Sequence, residues 1–170
     1  VKTLRPAARY LRALCYTQAL DLYRNVPHVT ENSKIGNVLP DQIMGPELFT
    51  YIETELKECE ADMLDPTVGF SANYGHANKA ANWALLSRLY LNAEVYAGVK
   101  KYTECITYSN KVIAAGYQLE PVYGDMFRAD NHLSKEMIHP LRYDGDQTMT
   151  WGGMTYLLCM GSSDLQAATH

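Results

Sequence analysis

Three aromatic residues stand in turn-rich sequence near the end of the chain: Tyr143 before Asp144-Gly145, Trp151 before Gly152-Gly153, and Tyr156 five residues on. A flat aromatic face stacks on the apolar C–H side of a sugar ring, and neighbouring polar groups pair with its hydroxyls. Two glycines after Trp151 let the backbone bend or approach closely. Trp151, Tyr143, Tyr156 and Asp144 are therefore the candidate ligand-binding residues, with Tyr74 a weaker one. Trp151 serves equally well as a plug at the end of a hydrophobic core. The chain has 13 Tyr and 2 Trp, but most of the tyrosines fall at helical spacing. Trp83, Tyr90, Tyr96 and Tyr102 accordingly read as core.

Other chemistry finds little support. No G-x-S-x-G, H-E-x-x-H or phosphate loop occurs. His28, His76, His132, His139 and His170 are well separated, and the pair His132 and His139 matches no ligand spacing. Asp144-Gly145-Asp146 opens like a calcium loop, but the twelfth position is Thr155 rather than Glu, so a simple turn is expected. Acid catalysis on a sugar needs a carboxyl raised by an apolar pocket. Only Asp130, Glu136 and Asp144 lie among aromatics, and Glu136, just before a predicted strand, suits a structural hydrogen bond. No catalytic residue, cofactor or metal is assigned.

The elements that would position these residues are mainly helices. The first is predicted over Leu4–Tyr23, with Leu4, Ala7, Ala8, Leu11, Leu14, Cys15, Gln18 and Leu22 as its stripe and Arg5, Arg9 and Arg12 on another face. A long insertion, 25–45, carries Asn, Pro and Gly without helical period. It is either functional or laid as an extended strip over the helices. A second helix runs from Pro46 to Met63, apolar through Leu48, Phe49, Ile52, Leu56, Cys59 and Met63 and acidic outside. Antiparallel packing would bring its late acids to the arginines of the first helix. Exposed ion pairs contribute little, so two solvated faces are the plainer expectation. A third helix over Ala77–Ala97 is apolar on most sides, and a fourth over Lys100–Ala115 carries Tyr102, Cys105, Ile106, Ser109, Val112 and Ile113. The short joint at Gly98-Val99 predicts an antiparallel hairpin.

Shifting the chain by 73 residues aligns Ala8 with Ala81, Tyr10 with Trp83, Asp21 with Glu94 and Tyr23 with Tyr96. Two helix pairs in tandem, with Trp83, Leu86 and Tyr90 followed by Tyr102 and Cys105, look tetratricopeptide-like. After Gly116 the chain turns aromatic and turn-rich. Met137–Tyr143 reads as a short strand, and Met154–Met160 as a second strand or a short apolar helix.

Composition excludes several classes. The net charge of −4 with scattered Lys and Arg argues against nucleic acid as a partner. No apolar run is long enough for a membrane span, and Val1–Arg5 has no signal-like apolar region. Cys15, Cys59, Cys105 and Cys159 show no zinc spacing, and the first three fall on predicted apolar faces as small buried thiols. The chain starts without Met, and both ends look cut from a longer protein.

The segment "GYQLEPVYGDMFRADNHLSKEMIHPLRYDGDQTMTWGG" resembles the SusD/RagB family of outer-membrane nutrient-binding lipoproteins. The shared pattern is Tyr117 and Leu119, Tyr123 and Phe127, Asp130-Asn131, Ser134 and Glu136, an apolar run Ile138–Tyr143, and Asp144-Gly145. "ARYLRALCYTQALDLYRNVPHVTE" and "KAANWALLSRLYLNAEVY" resemble the family's first helix with its Val-Pro exit and its Ala- and Leu-rich repeat helix.

The resemblance implies an internal section of a larger SusD-like domain. Its fold class is mainly α: tetratricopeptide-like antiparallel helix pairs, an alpha-alpha superhelix, over 1–116, then an irregular short-strand and loop segment over 117–170. It also implies non-catalytic capture of an oligosaccharide or other nutrient and a SusC-like TonB-dependent transporter as partner. Location would be the outer-membrane surface, with membrane contact only through a lipid anchor that this sequence does not contain. The competing expectation is a purely structural helical-repeat scaffold for protein docking, with no ligand site in this segment.

Overall fold

The computed structural model describes residues 4–29, 33, 36, 39–143 and 148. Contacts divide the chain into two units, Val1–His139 and Pro140–His170. The first is helical: α1 (Leu4–Tyr23), α2 (Gly45–Cys59), α3 (Lys79–Leu91), α4 (Ala93–Ala97) and α5 (Tyr102–Ala114). Two-residue strands β1 (Val26–Pro27) and β2 (Gln42–Ile43) and three short 3-10 turns complete it.

Side-chain contacts fix the helix directions. Arg9 near the start of α1 meets Glu55 and Glu58 near the end of α2. The Trp83 and Tyr90 side chains of α3 reach Glu60 and Glu53 respectively. Ser87 of α3 meets Ser109 of α5 at 2.6 Å, and Lys111 of α5 lies over Trp83. Neighbouring helices are thus antiparallel, and α1/α2 and α3/α5 are the two expected pairs. Tyr10, Ala13 and Leu20 of α1, Leu48, Phe49, Ile52 and Leu56 of α2, and Leu86, Leu89 and Tyr90 of α3 form one core. The third helix sits in its middle, as its apolar girth requires.

Helix ends follow local chemistry. Asn78 caps α3 by accepting from the Ala81 N–H at 3.0 Å. The predicted long third helix breaks at Asn92, whose backbone (φ −99°, ψ 8°) leaves the helical region. Gly98 closes α4 in the left-handed conformation that glycine tolerates. At α2 the cap comes from across the insertion: Asn25 Oδ1 accepts from the Gly45 N–H at 2.9 Å. The insertion is closed at its root, with Val26 opposite Ile43 and Pro27 opposite Gln42 in antiparallel register. His28 N–H donates to Asp41 O at 2.9 Å, and the Val29 N–H donates to Tyr16 Oη. The described root therefore lies as a strip against α1, one of the two expected alternatives.

Three expectations need correction. The face of α1 turned inward is Pro6, Tyr10, Ala13, Thr17 and Leu20. Leu4, Leu11 and Leu22 are exposed, and so is Cys15, which is no buried thiol. Cys59 is buried, which pushes its thiol up to about 11. In α5 no residue is fully buried, and Tyr102, Ile106 and Ile113 of its predicted stripe face solvent. Met137–Tyr143 takes no strand conformation. Leu141 and Tyr143 within it are exposed.

The ion-pair expectation also changes. Glu55 is buried, and Arg9 and Arg12 reach it at 2.6 and 2.5 Å. Burial alone would raise the Glu55 carboxyl, but the bonds from Arg9 and Arg12 outweigh it and hold it below its ordinary value. These faces are joined across the helices rather than separately solvated. Glu53 behaves likewise: burial opposes its charge, and Lys57, Lys101 and Tyr90 Oη together lower it.

Candidate functional site

Beyond α5 the chain leaves the helices at Gly116, whose φ of +90° suits a residue without Cβ. The following segment is held by hydrogen bonds in place of apolar packing. Gln118 N–H donates to Lys135 O at 3.2 Å, and Glu120 N–H to Glu136 Oε2 at 2.7 Å. Glu136 N–H in turn donates to Ser134 Oγ, and Asn131 Nδ2 to Met126 O. Glu136 thus makes the structural hydrogen bond expected of it. Ser134 is the one fully buried residue between Tyr117 and His139.

Two 3-10 turns shape this segment, Tyr123–Phe127 and Asn131–Leu133. Beside them a polar cavity of about 250 Å³ is lined by Glu120, Asp125, Arg128, Asp130, Asn131 and Ser134, with Leu133. Arg128 donates to Asp125 at 3.0 Å, and that bond raises its already high pKa and keeps it cationic. The rings of Tyr123 and Phe127 meet edge to face at 5.2 Å and are 78% and 72% exposed. Exposed ring faces on the same turn as charged donors and acceptors offer both kinds of contact a sugar uses. Sequence reasoning placed Tyr123 and Phe127 in the family pattern and not among ligand contacts. Their tight spacing around Gly124-Asp125 is the signal that could have found this surface.

The predicted site residues fare unequally. Tyr143 belongs to the second unit and is 57% exposed, as a platform would have to be. Trp151, Tyr156 and Asp144 lie outside the described residues, as do the Asp144-Gly145 turn and Met154–Met160. Tyr74 is buried beside Phe70 and is withdrawn as a platform. On the helices, Tyr90 and Tyr96 are buried as expected, and Tyr96 Oη donates to Asp21 at 2.7 Å. Trp83 is half-buried, its Nε1 donating to Glu60 at 2.8 Å. Tyr102 departs from expectation: it is exposed and donates to Glu94. His132 packs on Phe70 and His139 on Tyr10, so the two histidines serve different contacts. Among the described residues no group of three or more His, Cys, Asp and Glu could hold a metal ion, and no helix is long and apolar enough to cross a membrane.

No family model matches the sequence. Over 164 residues, 93% of this chain, it is 45% identical to a curated protein of Bacteroides thetaiotaomicron named starch-binding protein SusD. This chain is SusD-like. It spans 29% of the length of that relative. The fold agrees: a crystal structure of a SusD-like protein from Bacteroides fragilis superposes with a TM-score of 0.70 at 24% identity, covering 86% of this chain and 28% of the other. A surface glycan-binding protein A from Bacteroides uniformis superposes with a TM-score of 0.65 at 17% identity, covering 81% of this chain and 30% of the other. The mainly helical SusD-like fold that the resemblance implies is therefore the fold observed.

Proposed function

We propose that this SusD-like chain takes part in non-catalytic capture of an oligosaccharide at the bacterial cell surface and in its delivery to a TonB-dependent transporter of the SusC type. The observation that carries the reading is the 45% identity over 93% of the chain to a protein named for binding starch. The helical part, 1–116, acts as scaffold, and 117–170 presents the binding surface. Trp151, Tyr143 and Tyr156 supply stacking faces and Asp144 accepts from sugar hydroxyls. Attachment is to the outer membrane through a lipid anchor carried elsewhere in the polypeptide, and binding needs no metal or cofactor.

Titration calorimetry of the full-length protein with maltoheptaose tests this. Saturable binding unaffected by EDTA is expected, weakened roughly 5- to 150-fold by Trp151→Ala, taking the loss of one stacking face at the about 1–3 kcal/mol found for bases stacked on aromatic side chains. Unchanged affinity in Trp151→Ala sinks the platform assignment, and release of shorter sugars would revive an enzyme. Co-purification with a β-barrel transporter tests delivery. The second reading, a scaffold that docks protein and holds no sugar in this segment, draws on the exposed apolar helix residues. Transporter retention without binding of any glycan would favour it.

A further inference from the structure

The turn Tyr123–Phe127 and the cavity beside it hold more chemistry than their backbone bonds require. A 3-10 turn repeats every three residues, so Asp125 and Arg128 fall on one side of it, and both line the cavity of about 250 Å³. That is smaller than the roughly 300–1,000 Å³ that takes a drug-sized ligand, and it suits one ring with its substituents. One polar group of the wall is withdrawn from bulk water: Ser134 is 7% exposed. Its Oγ accepts from the Glu136 N–H and donates to the Met126 thioether at 3.3 Å, a weak acceptor. A ligand hydroxyl entering the cavity offers that hydrogen a better one.

Arg128 donates to Asp125 at 3.0 Å and approaches Asp130 at 3.9 Å. A guanidinium carries five N–H donors in a fixed fork, so donors remain for a ligand. Tyr123 and Phe127 bracket Asp125 in the chain, and their open rings meet at 66°. One ring can lie under a sugar while the other stands along its edge. Glu120, Asp125 and Asp130 outnumber Arg128 on the cavity wall. An anionic sugar is therefore repelled, whereas the hydroxyls of a neutral one find both donors and acceptors.

We infer that this turn and its cavity form a second sugar subsite, which takes one unit of a neutral oligosaccharide and rejects uronate or sulfated units. The rings of Tyr123 and Phe127 carry the C–H side of the sugar, Arg128 donates to its hydroxyls, and Asp125 and Asp130 accept from them. All of these residues lie within Val1–His139, so the subsite is assembled without Tyr143, Trp151 or Tyr156. The inference rests on the oligosaccharide reading above and deepens it, by adding contacts and a charge rule for the ligand.

Hydroxyl-radical footprinting of the full-length protein, with and without saturating maltoheptaose, tests this. Oxidation of Tyr123 and Phe127 is read by mass spectrometry. Loss of oxidation at both rings with maltoheptaose is expected, and none with tri-galacturonate at the same concentration. Calorimetry then compares two variants. Tyr123→Ala should weaken maltoheptaose binding about fivefold or more, as for a lost stacking face. Tyr123→Phe keeps the ring and should bind as the parent does. A protein that binds maltoheptaose while both rings oxidise at the sugar-free rate, or that keeps its affinity in Tyr123→Ala, overturns the inference and leaves the oligosaccharide reading intact. Equal protection by tri-galacturonate also overturns it. So does resistance of both rings to oxidation before sugar is added, since protein then covers them. A wild-type protein that binds no neutral oligosaccharide sinks the reading and the inference together.

Discussion

The helices α1 to α3 and the segment between Tyr117 and His139 hold themselves together by different means. In the helices, Leu48, Ile52, Leu56, Leu86, Leu89 and Tyr90 are wholly inaccessible. In the segment, Leu119, Tyr123, Phe127 and Leu133 are exposed, and its backbone is tied by Glu136, Asn131 and Ser134. Apolar burial is non-directional and fixes bulk packing, whereas hydrogen bonds fix particular backbone groups. The first holds the helices, and the second leaves the side chains of the segment exposed.

The sharpest way to break this contrast is by truncation on both sides of it. Leu86→Ala should cost about 2–5 kcal/mol in denaturant titrations, since a cavity opens in the middle of the core. A loss below about 1 kcal/mol would mean that α3 is not the centre of packing. Next in size is Gly45→Ala. A Cβ there would lie 2.8 Å from Arg24 Cγ, and Arg24 already holds a positive φ of 62°. The resulting overpacking should cost about 1–3 kcal/mol by the same measurement.

Acid should act on the scaffold in two steps. His139 is pressed by burial against Tyr10 and its pKa lies below the ordinary 6.5. The unfolded chain therefore takes up that proton first, and stability falls as pH drops below about 6.5. Glu53 and Glu55 lie below their ordinary 4.5, so the stability they give is complete above that value and is lost as pH falls through their folded values. Thermal melts between pH 7 and pH 3 should show both declines, and His139→Gln should remove the upper one. A flat profile from pH 7 to pH 5 would contradict the burial of His139. The smallest effect is expected at Tyr123→Ala, within about 0.5 kcal/mol, as for a surface substitution. A larger loss would show that the segment packs after all.

Much of the scaffold was legible because burial writes a period into the chain. The bounds of α1 match Leu4–Tyr23, and α2 with its 3-10 extension ends one residue short of the expected Met63. What periodicity could not decide was which of two apolar faces of α1 turns inward. Tyr10 and Thr17 looked less apolar than Leu4 and Leu11, yet Thr17 satisfies its hydroxyl on Ala13 O and is buried without penalty. The ion-pair cluster was underrated for a related reason: nothing local shows that Glu55 will be covered. The break at Asn92 and the absence of a strand at Met137–Tyr143 depend on tertiary partners, which a one-dimensional pattern does not carry. Of the candidate site, the family pattern marked the supports Ser134 and Glu136, while Tyr143 was chosen for its place beside the Asp144-Gly145 turn signal.

The clamp at the root of the insertion has a consequence for variation in this chain. Asn25 caps α2, Val26 pairs with Ile43, and His28 with Asp41. The two flanks of the interval between His28 and Asp41 are thereby held on the helical frame by bonds of their own. Doubling the length of a closed loop costs only about 0.6 kcal/mol. New sequence could be exchanged into that interval, by evolution or by cloning, as a cassette is exchanged in a fixed frame.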